Sequence, residues 1–271
     1  MRIPLEKEDE KLMGEALRIV DEAKKRGIVL RLMGGIAVII HTDDSSLYTR
    51  LTTPGSDGGK SRDIDMVTYS SQSSKVDKLF NDLSYNSDKL VMAYFGENRF
   101  MYHHPKDIYY VDVFFEKLHF SHDMNLGSKK GRGRLELDYP TLTLADLILG
   151  KLQIHEINEK DIRDLIILIK GHSLSDDDVE ESINLERIAS VLSNDWGFWY
   201  DAESNLNKVL KSTEKYRIEG LLSEEEFDDL STKVQKISIY INKIPKSKDW
   251  LKRAKEGSSK KWWNDVEELV R

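Results

Sequence analysis

Three aspartates offer the most specific chemistry in this chain. Asp63 and Asp65 stand two apart in RDIDMVT (62–68), and alternation along a strand turns both to one face. Side-by-side carboxylates repel each other unless something cationic sits between them. With oxygen ligands alone, that cation is Mg²⁺ or Mn²⁺. The plainer alternative is a solvent-facing acidic edge of a sheet. Asp112 is embedded in YYVDVFF (109–115), where burying a carboxylate is costly without a partner. If its strand lies beside the one bearing Asp63 and Asp65, a third ligand faces the same ion. Otherwise Asp112 occupies the open face of an antiparallel hairpin.

Other residues could serve a phosphorylated ligand. Gly34-Gly35 separates the apolar run IVLRLM (28–33) from IAVIIH (36–41), and reads as a strand-to-helix turn. Two glycines let a phosphate approach the backbone, and the helix start favours its charge, although Gly-Gly also serves any tight turn. Lys151 lies in an apolar helix, LADLILGKLQI (144–154), as a compact cation. In EKDIRDLIILI (159–169), Asp161 and Asp164 share one helix face, while Lys160 and Arg163 read as solvated charges. GSDGGKS (55–61) is not a phosphate-binding P-loop, because its spacing is one residue short and it precedes a strand. Lys129, Lys130, Arg132 and Arg134 form a basic stretch. Residues 246–263 hold seven Lys or Arg against two acids, interleaved with Trp250, Trp262 and Trp263. That mixture suits RNA contact by phosphate pairing and base stacking, or else the Trp residues anchor a terminal helix.

The elements that must position these residues follow from periodicity. Helical spacing over 7–26 stops at Gly27, and 28–33 reads as a buried strand. Residues 42–61 read as a long polar loop, 62–68 as a half-buried strand and 74–84 as a helix. The segments 99–103 and 108–115 form a hairpin, and from Leu142 helical signals dominate. The expected fold is α+β: a core domain over 1–140, with a mixed sheet flanked by helices, then an all-helical domain over 141–271.

Composition bounds the function. The 271 residues carry a formal charge of −7, with 33% charged and 39% apolar residues, which argues against bulk electrostatic nucleic-acid binding but leaves room for a local basic groove. Cysteine is absent, which excludes disulfides, thiolate metal sites and cysteine nucleophiles and suits a reducing cytoplasm. No apolar run reaches the ~18 residues of a membrane span, and the acidic N-terminus is no secretory signal. The seven His show no zinc-type spacing along the sequence.

The order of a strand ending in Gly34-Gly35, a helix, RDID and a later strand with Asp112 resembles the nucleotidyltransferase (polymerase-β-like) superfamily, whose pattern is hG[GS], DxD and a third acidic residue. LADLILGKLQI…EKDIRDLIILI resembles its AbiEii-type toxin branch, so that the likeness covers about residues 28–170. The resemblance implies two Mg²⁺ ions (Mn²⁺ as alternative) on Asp63, Asp65 and Asp112. It implies an NTP whose phosphates lie against Gly34 and Gly35, with Arg62 and Lys151 as further nucleotide-binding residues. Asp112 would help deprotonate the acceptor hydroxyl, and Asp161 or Asp164 would position the acceptor or base. The implied reaction is nucleotidyl transfer from an NTP to a hydroxyl with release of pyrophosphate, the favoured acceptor being RNA or tRNA, in a toxin with a cognate antitoxin. The alternatives are an antibiotic nucleotidyltransferase of the aminoglycoside or lincosamide type, and a catalytically silent nucleotide-binding protein. Two departures stand out: 27 residues separate Gly35 from Asp63, and the glycine pair lacks the serine that many members use to hold a phosphate.

Overall fold

The computed structural model describes residues 7–42, 44–52, 63–128 and 133–266. In chain order the elements are α1 (Lys7–Lys25), β1 (Leu30–Leu32), α2 (Gly34–Ile40), α3 (Ser45–Leu51), β2 (Asp63–Thr68), α4 (Ser73–Asp82), β3 (Asn86–Ser87), α5 (Lys89–Phe95), β4 (Arg99–His103) and β5 (Tyr110–Phe115). There follow β6 (Lys117–His119), β7 (Asp123–Asn125), α6 (Leu144–Leu152), α7 (Glu159–Gly171), β8 (Ser173–Ser175), β9 (Ser182–Asn184), α8 (Leu185–Leu192), α9 (Trp196–Ile218), α10 (Glu224–Lys243) and α11 (Lys248–Ala254).

The main sheet has five strands in the order β1-β2-β5-β4-β3. β2 and β5 run parallel at its centre, and the other pairs are antiparallel, so the fold is mixed α/β with a mixed sheet. The parallel pair arises because the chain leaves β2 through α4, β3 and α5 before β4 and β5 close a hairpin. The central strands are buried on both faces: Ile64, Met66, Val67, Val111 and Val113 are fully inaccessible. Such strands read as near-continuous β-branched and apolar runs, which makes the aspartates among them conspicuous.

α6 carries apolar side chains nearly all round, with seven of its nine residues buried, as a central helix must. Thr143 caps it by accepting from the Asp146 amide and donating to the Asp146 carboxylate. α7 is capped by Asn158, whose side chain accepts from the Asp161 amide. One hydrophobic cluster runs from α1 through the sheet and α6 to α10. Beyond residue 140 the chain still touches the sheet: Leu32 donates to the Pro140 carbonyl and Leu142 donates to Leu32, each through the backbone.

Two expectations change. Residues 42–61 are not wholly a loop, since Asp44 caps α3 and Leu47 and Leu51, one helical turn apart, are buried. The polar Ser and Thr residues of that segment mask this two-leucine stripe. The C-terminal half is not all-helical either, because β8 and β9 form a short parallel ladder between α7 and α8. Both strands are three residues long and polar, below the length at which alternation is legible. The other segments expected as helix or strand form those elements, with ends displaced by a few residues. The 7–26 helix runs to Lys25, and the hairpin pairs Arg99–His103 with Tyr110–Phe115.

Candidate functional site

Strand register assembles the acidic centre. In the parallel β2–β5 pair, Asp65 lies directly opposite Asp112, and Asp63 is two residues along the same strand. In-register partners project to the same side, so all three carboxylates share one face of the sheet. Asp112 is buried, and Asp63 and Asp65 are partly so. Crowding by protein atoms, then the charges of Asp112 and Asp63, push the Asp65 pKa up to about 7, against a smaller opposing pull from Lys151 and Lys160. The hairpin alternative for Asp112, an open solvated face, does not describe its position.

The glycine turn closes over this centre. Gly34 adopts φ +66°, in the region that favours glycine, and a Cβ there would overlap the Asp65 carboxylate and lie 3.2 Å from its Cγ. The Met33 amide donates to the Asp65 carbonyl at 2.9 Å, which ties the start of α2 to β2. Gly35 is next, and a Cβ there would be 3.9 Å from the Lys160 ammonium. Lys160, read from the sequence as a solvated charge, therefore faces the glycine turn and acts electrostatically on Asp65.

Lys151 is the other cation at the site, and it is not free. Its ammonium is 2.6 Å from Asp161 and 2.7 Å from Asp164, projected from the first two turns of α7. Burial opposes its charge, yet Asp164 and Asp161 outweigh that, and the Lys151 pKa lies above its ordinary value. Asp161 and Asp164 thus hold Lys151 rather than standing open to a ligand of their own. Arg163, also expected to be solvated, is buried beside Tyr216. A cavity of about 240 Å³ opens next to Asp65 and Lys151, with Gly34, Val38, Phe114 and Leu147 among its walls. It is smaller than the roughly 300–1,000 Å³ of a drug-sized pocket. Its walls are mostly apolar, as suits a flat ring more than a phosphate chain.

Residues read from the sequence as basic contacts divide. Arg62, Lys129, Lys130 and Arg132 lie outside the described residues, as does the segment 55–61. Arg134 is committed to structure: its Nε donates to Asp146 at 2.6 Å and its other nitrogens to Asp178. Asp146, fully buried, also accepts from Arg187 at 2.9 Å, and its two arginines make it the tie between α6, α8 and the segment before α6. Sequence reading passed over Asp146, although a carboxylate in an apolar helix was the available signal. In the tail, Trp262 donates to Asp201 at 3.0 Å and Trp263 stacks on His155 at 3.8 Å. Trp250 packs edge-on against Trp199 of α9. The tail tryptophans therefore anchor the chain, while Lys248, Lys252, Lys255, Lys260 and Lys261 stay exposed around them.

No protein-family model matches this chain, and no curated protein sequence does. Among the described residues, no helix is long and apolar enough to cross a membrane.

Proposed function

We propose that this protein is a divalent-metal-dependent nucleotidyltransferase that moves a nucleoside monophosphate from an NTP to a hydroxyl, with RNA as the acceptor. The observation that carries the reading is the β2–β5 register, which sets Asp65 opposite Asp112 on the face shared with Asp63, under the Gly34 turn. Three clustered carboxylates on one face fit Mg²⁺ or Mn²⁺: the donors are all oxygen, and burial, with the Asp112 and Asp63 charges adding to it, raises the Asp65 pKa, a cost that a bound cation would relieve. Asp63, Asp65 and Asp112 would hold it, and when bound it supplies charge neutralisation for the phosphates of the NTP.

The chain's own residues supply the rest. Gly34 leaves room beside Asp65 that any Cβ would fill, and Gly35 presents bare backbone at the start of α2. Lys160 stands at Gly35, where its ammonium offsets negative charge on a phosphate. Lys151, fixed by Asp161 and Asp164, lines the neighbouring cavity, whose apolar walls offer a nucleobase a dry surface. Asp112 accepts the proton of the attacking hydroxyl. The exposed lysines of the tail support RNA as the acceptor.

The test incubates the protein with Mg²⁺, total RNA and each of the four α-labelled NTPs in turn, with Asp65→Ala in parallel. Label enters RNA from one NTP, and the variant loses at least about 10²–10³-fold in rate. Equal transfer by Asp65→Ala overturns the reading. Label that stays in free NTP throughout removes RNA as the acceptor.

A further inference from the structure

We infer that His41, His172 and Glu181 form a second metal site, for a single ion of the zinc type, separate from the acidic centre. The residues come from three distant points of the sequence. His41 caps the C-terminal end of α2, His172 caps that of α7, and Glu181 precedes β9. Their ligand atoms lie within 4.8 Å of one another. Glu181 Oε2 is 3.2 Å from His41 Nδ1 and 3.1 Å from His172 Nε2.

Hydrogen accounting points to a cation at the centre. His172 Nδ1 is 2.7 Å from the Leu168 carbonyl, and a carbonyl can only accept, so Nδ1 carries the hydrogen. In the neutral ring Nε2 then presents a lone pair, and it presents it to a carboxylate oxygen. Two acceptors facing each other at 3.1 Å need a positive charge between them, either a proton on His172 or a metal ion. His41 is held from its far side too, where Nε2 meets the Thr141 hydroxyl, a group that can donate or accept, at 2.6 Å. An imidazole whose outer nitrogen is tied to a carbonyl or hydroxyl, with its inner nitrogen aimed at a converging carboxylate, is how metal-bound histidines are held.

Two further observations favour the ion over the proton. Both imidazoles are buried, whereas the Glu181 side chain remains half exposed, which gives an ion a path from solvent. Glu181 also has φ +52°, a left-handed backbone for which a non-glycine residue is strained, and that conformation holds its carboxylate over both rings. Charged groups facing the cluster from other elements add to the case: Asp138 Oδ2 stands 4.0 Å from His41 Nε2.

Two imidazoles and one carboxylate form a borderline donor set that prefers Zn²⁺ to Mg²⁺ and leaves a fourth position to water. Ligands around tetrahedral zinc stand about 3.3–3.5 Å apart, so the shorter separations already fit and the widest need close by no more than about 1.5 Å. The ion's role follows from the helices it joins. α2 begins at Gly34-Gly35 and α7 begins with Lys160, Asp161 and Asp164, so one ion at their far ends holds together the two helices that face the acidic centre. Sequence spacing gave no sign of this, because the three ligands are separated by 130 and 8 intervening residues.

The test is calorimetric titration of the metal-stripped full-length protein with Zn²⁺ in excess Mg²⁺, repeated for Glu181→Gln, His172→Gln and Asp112→Asn. One equivalent binds to the wild type and to Asp112→Asn. Binding weakens at least about 100-fold in Glu181→Gln and His172→Gln. Glu181→Gln changes a half-exposed side chain, and so keeps the test valid if His172→Gln fails to fold. Co²⁺ in place of Zn²⁺ gives the visible bands of a four-coordinate site with nitrogen ligands, and these disappear in the same variants. Zn²⁺ binding that is absent from the wild type, unchanged in Glu181→Gln, or lost in Asp112→Asn overturns the site. Nucleotidyl transfer is not read in any arm, so the outcome is independent of the proposed activity.

Discussion

At the scale of single residues, the ion triad of Lys151, Asp161 and Asp164 shows what burial does to charge. A lysine among Leu147, Ile148 and Leu152 would lose its proton if it stood alone, and two carboxylates within 2.7 Å keep it charged. Removing the cation leaves two buried like charges, which is costlier than never having formed the triad. Lys151→Met is therefore expected to lose about 3–5 kcal/mol, read from urea unfolding. Adding Asp161→Asn and Asp164→Asn to it should restore much of that loss. A single variant as stable as the wild type would mean that the triad is solvated. Burial raises the Asp65 pKa by the same physics, with the charges of Asp112 and Asp63 adding to it and Lys151 and Lys160 opposing it.

At the scale of elements, α3 is held to α10 by a surface pair whose pH dependence can be worked out. Arg50 donates to both carboxylate oxygens of Glu226, at 2.7 and 3.0 Å, from across the helices. Glu226 also belongs to the capping box of α10, accepting from the Ser223 amide. Hydrogen bonding from Arg50, opposed by partial burial, lowers the Glu226 pKa from 4.5 to about 2. A group whose pKa is depressed on folding stabilises the protein fully above its unfolded value, and the stabilisation fades as the pH falls through the folded one. This pair therefore contributes above pH about 4.5 and is lost toward pH 2. After solvent screening, about 1–2 kcal/mol is expected at neutral pH. Arg50→Gln should lose that amount at pH 7 and show a shallower acid limb between pH 4.5 and 2, measured by thermal melts across pH. An acid limb unchanged in the variant would remove the pair from the account.

At the scale of the whole molecule, the question is whether the chain folds as one unit or two. A boundary near residue 140 would give two melting transitions. One apolar cluster runs from α1 to α10, the backbone of Pro140 and Leu142 bonds to β1, and Asp146 with its two arginines locks α6 to α8. A single calorimetric transition is expected, and residues 141–271 expressed alone should not fold, because α6 would expose the face it buries against α2. Two resolved transitions, or a folded fragment, would show that the halves are independent.

The elements that bear the site were legible along the chain because their signals are local. Period-2 alternation marked β2, apolar runs marked β1 and β5, and Gly34-Gly35 marked the turn between β1 and α2. A lone Asp in an aromatic strand drew attention to Asp112 for the same reason: burial makes a charge conspicuous against its neighbours. Other features depend on which segments meet, and sequence distance conceals that. Register between β2 and β5 made three aspartates into one centre. Packing of α7 on α6 turned Asp161 and Asp164 toward Lys151, Lys160 toward Gly35, and Arg163 inward, although helical spacing alone had made the last two look solvated. His41, His172 and Glu181 meet only because α2 and α7 end at the same corner. Which residue types could do chemistry, and which elements carry them, is written in the local sequence, since propensity and periodicity act over a few residues. Which of those groups face one another was decided by tertiary packing alone, because electrostatics and coordination depend on distance in space.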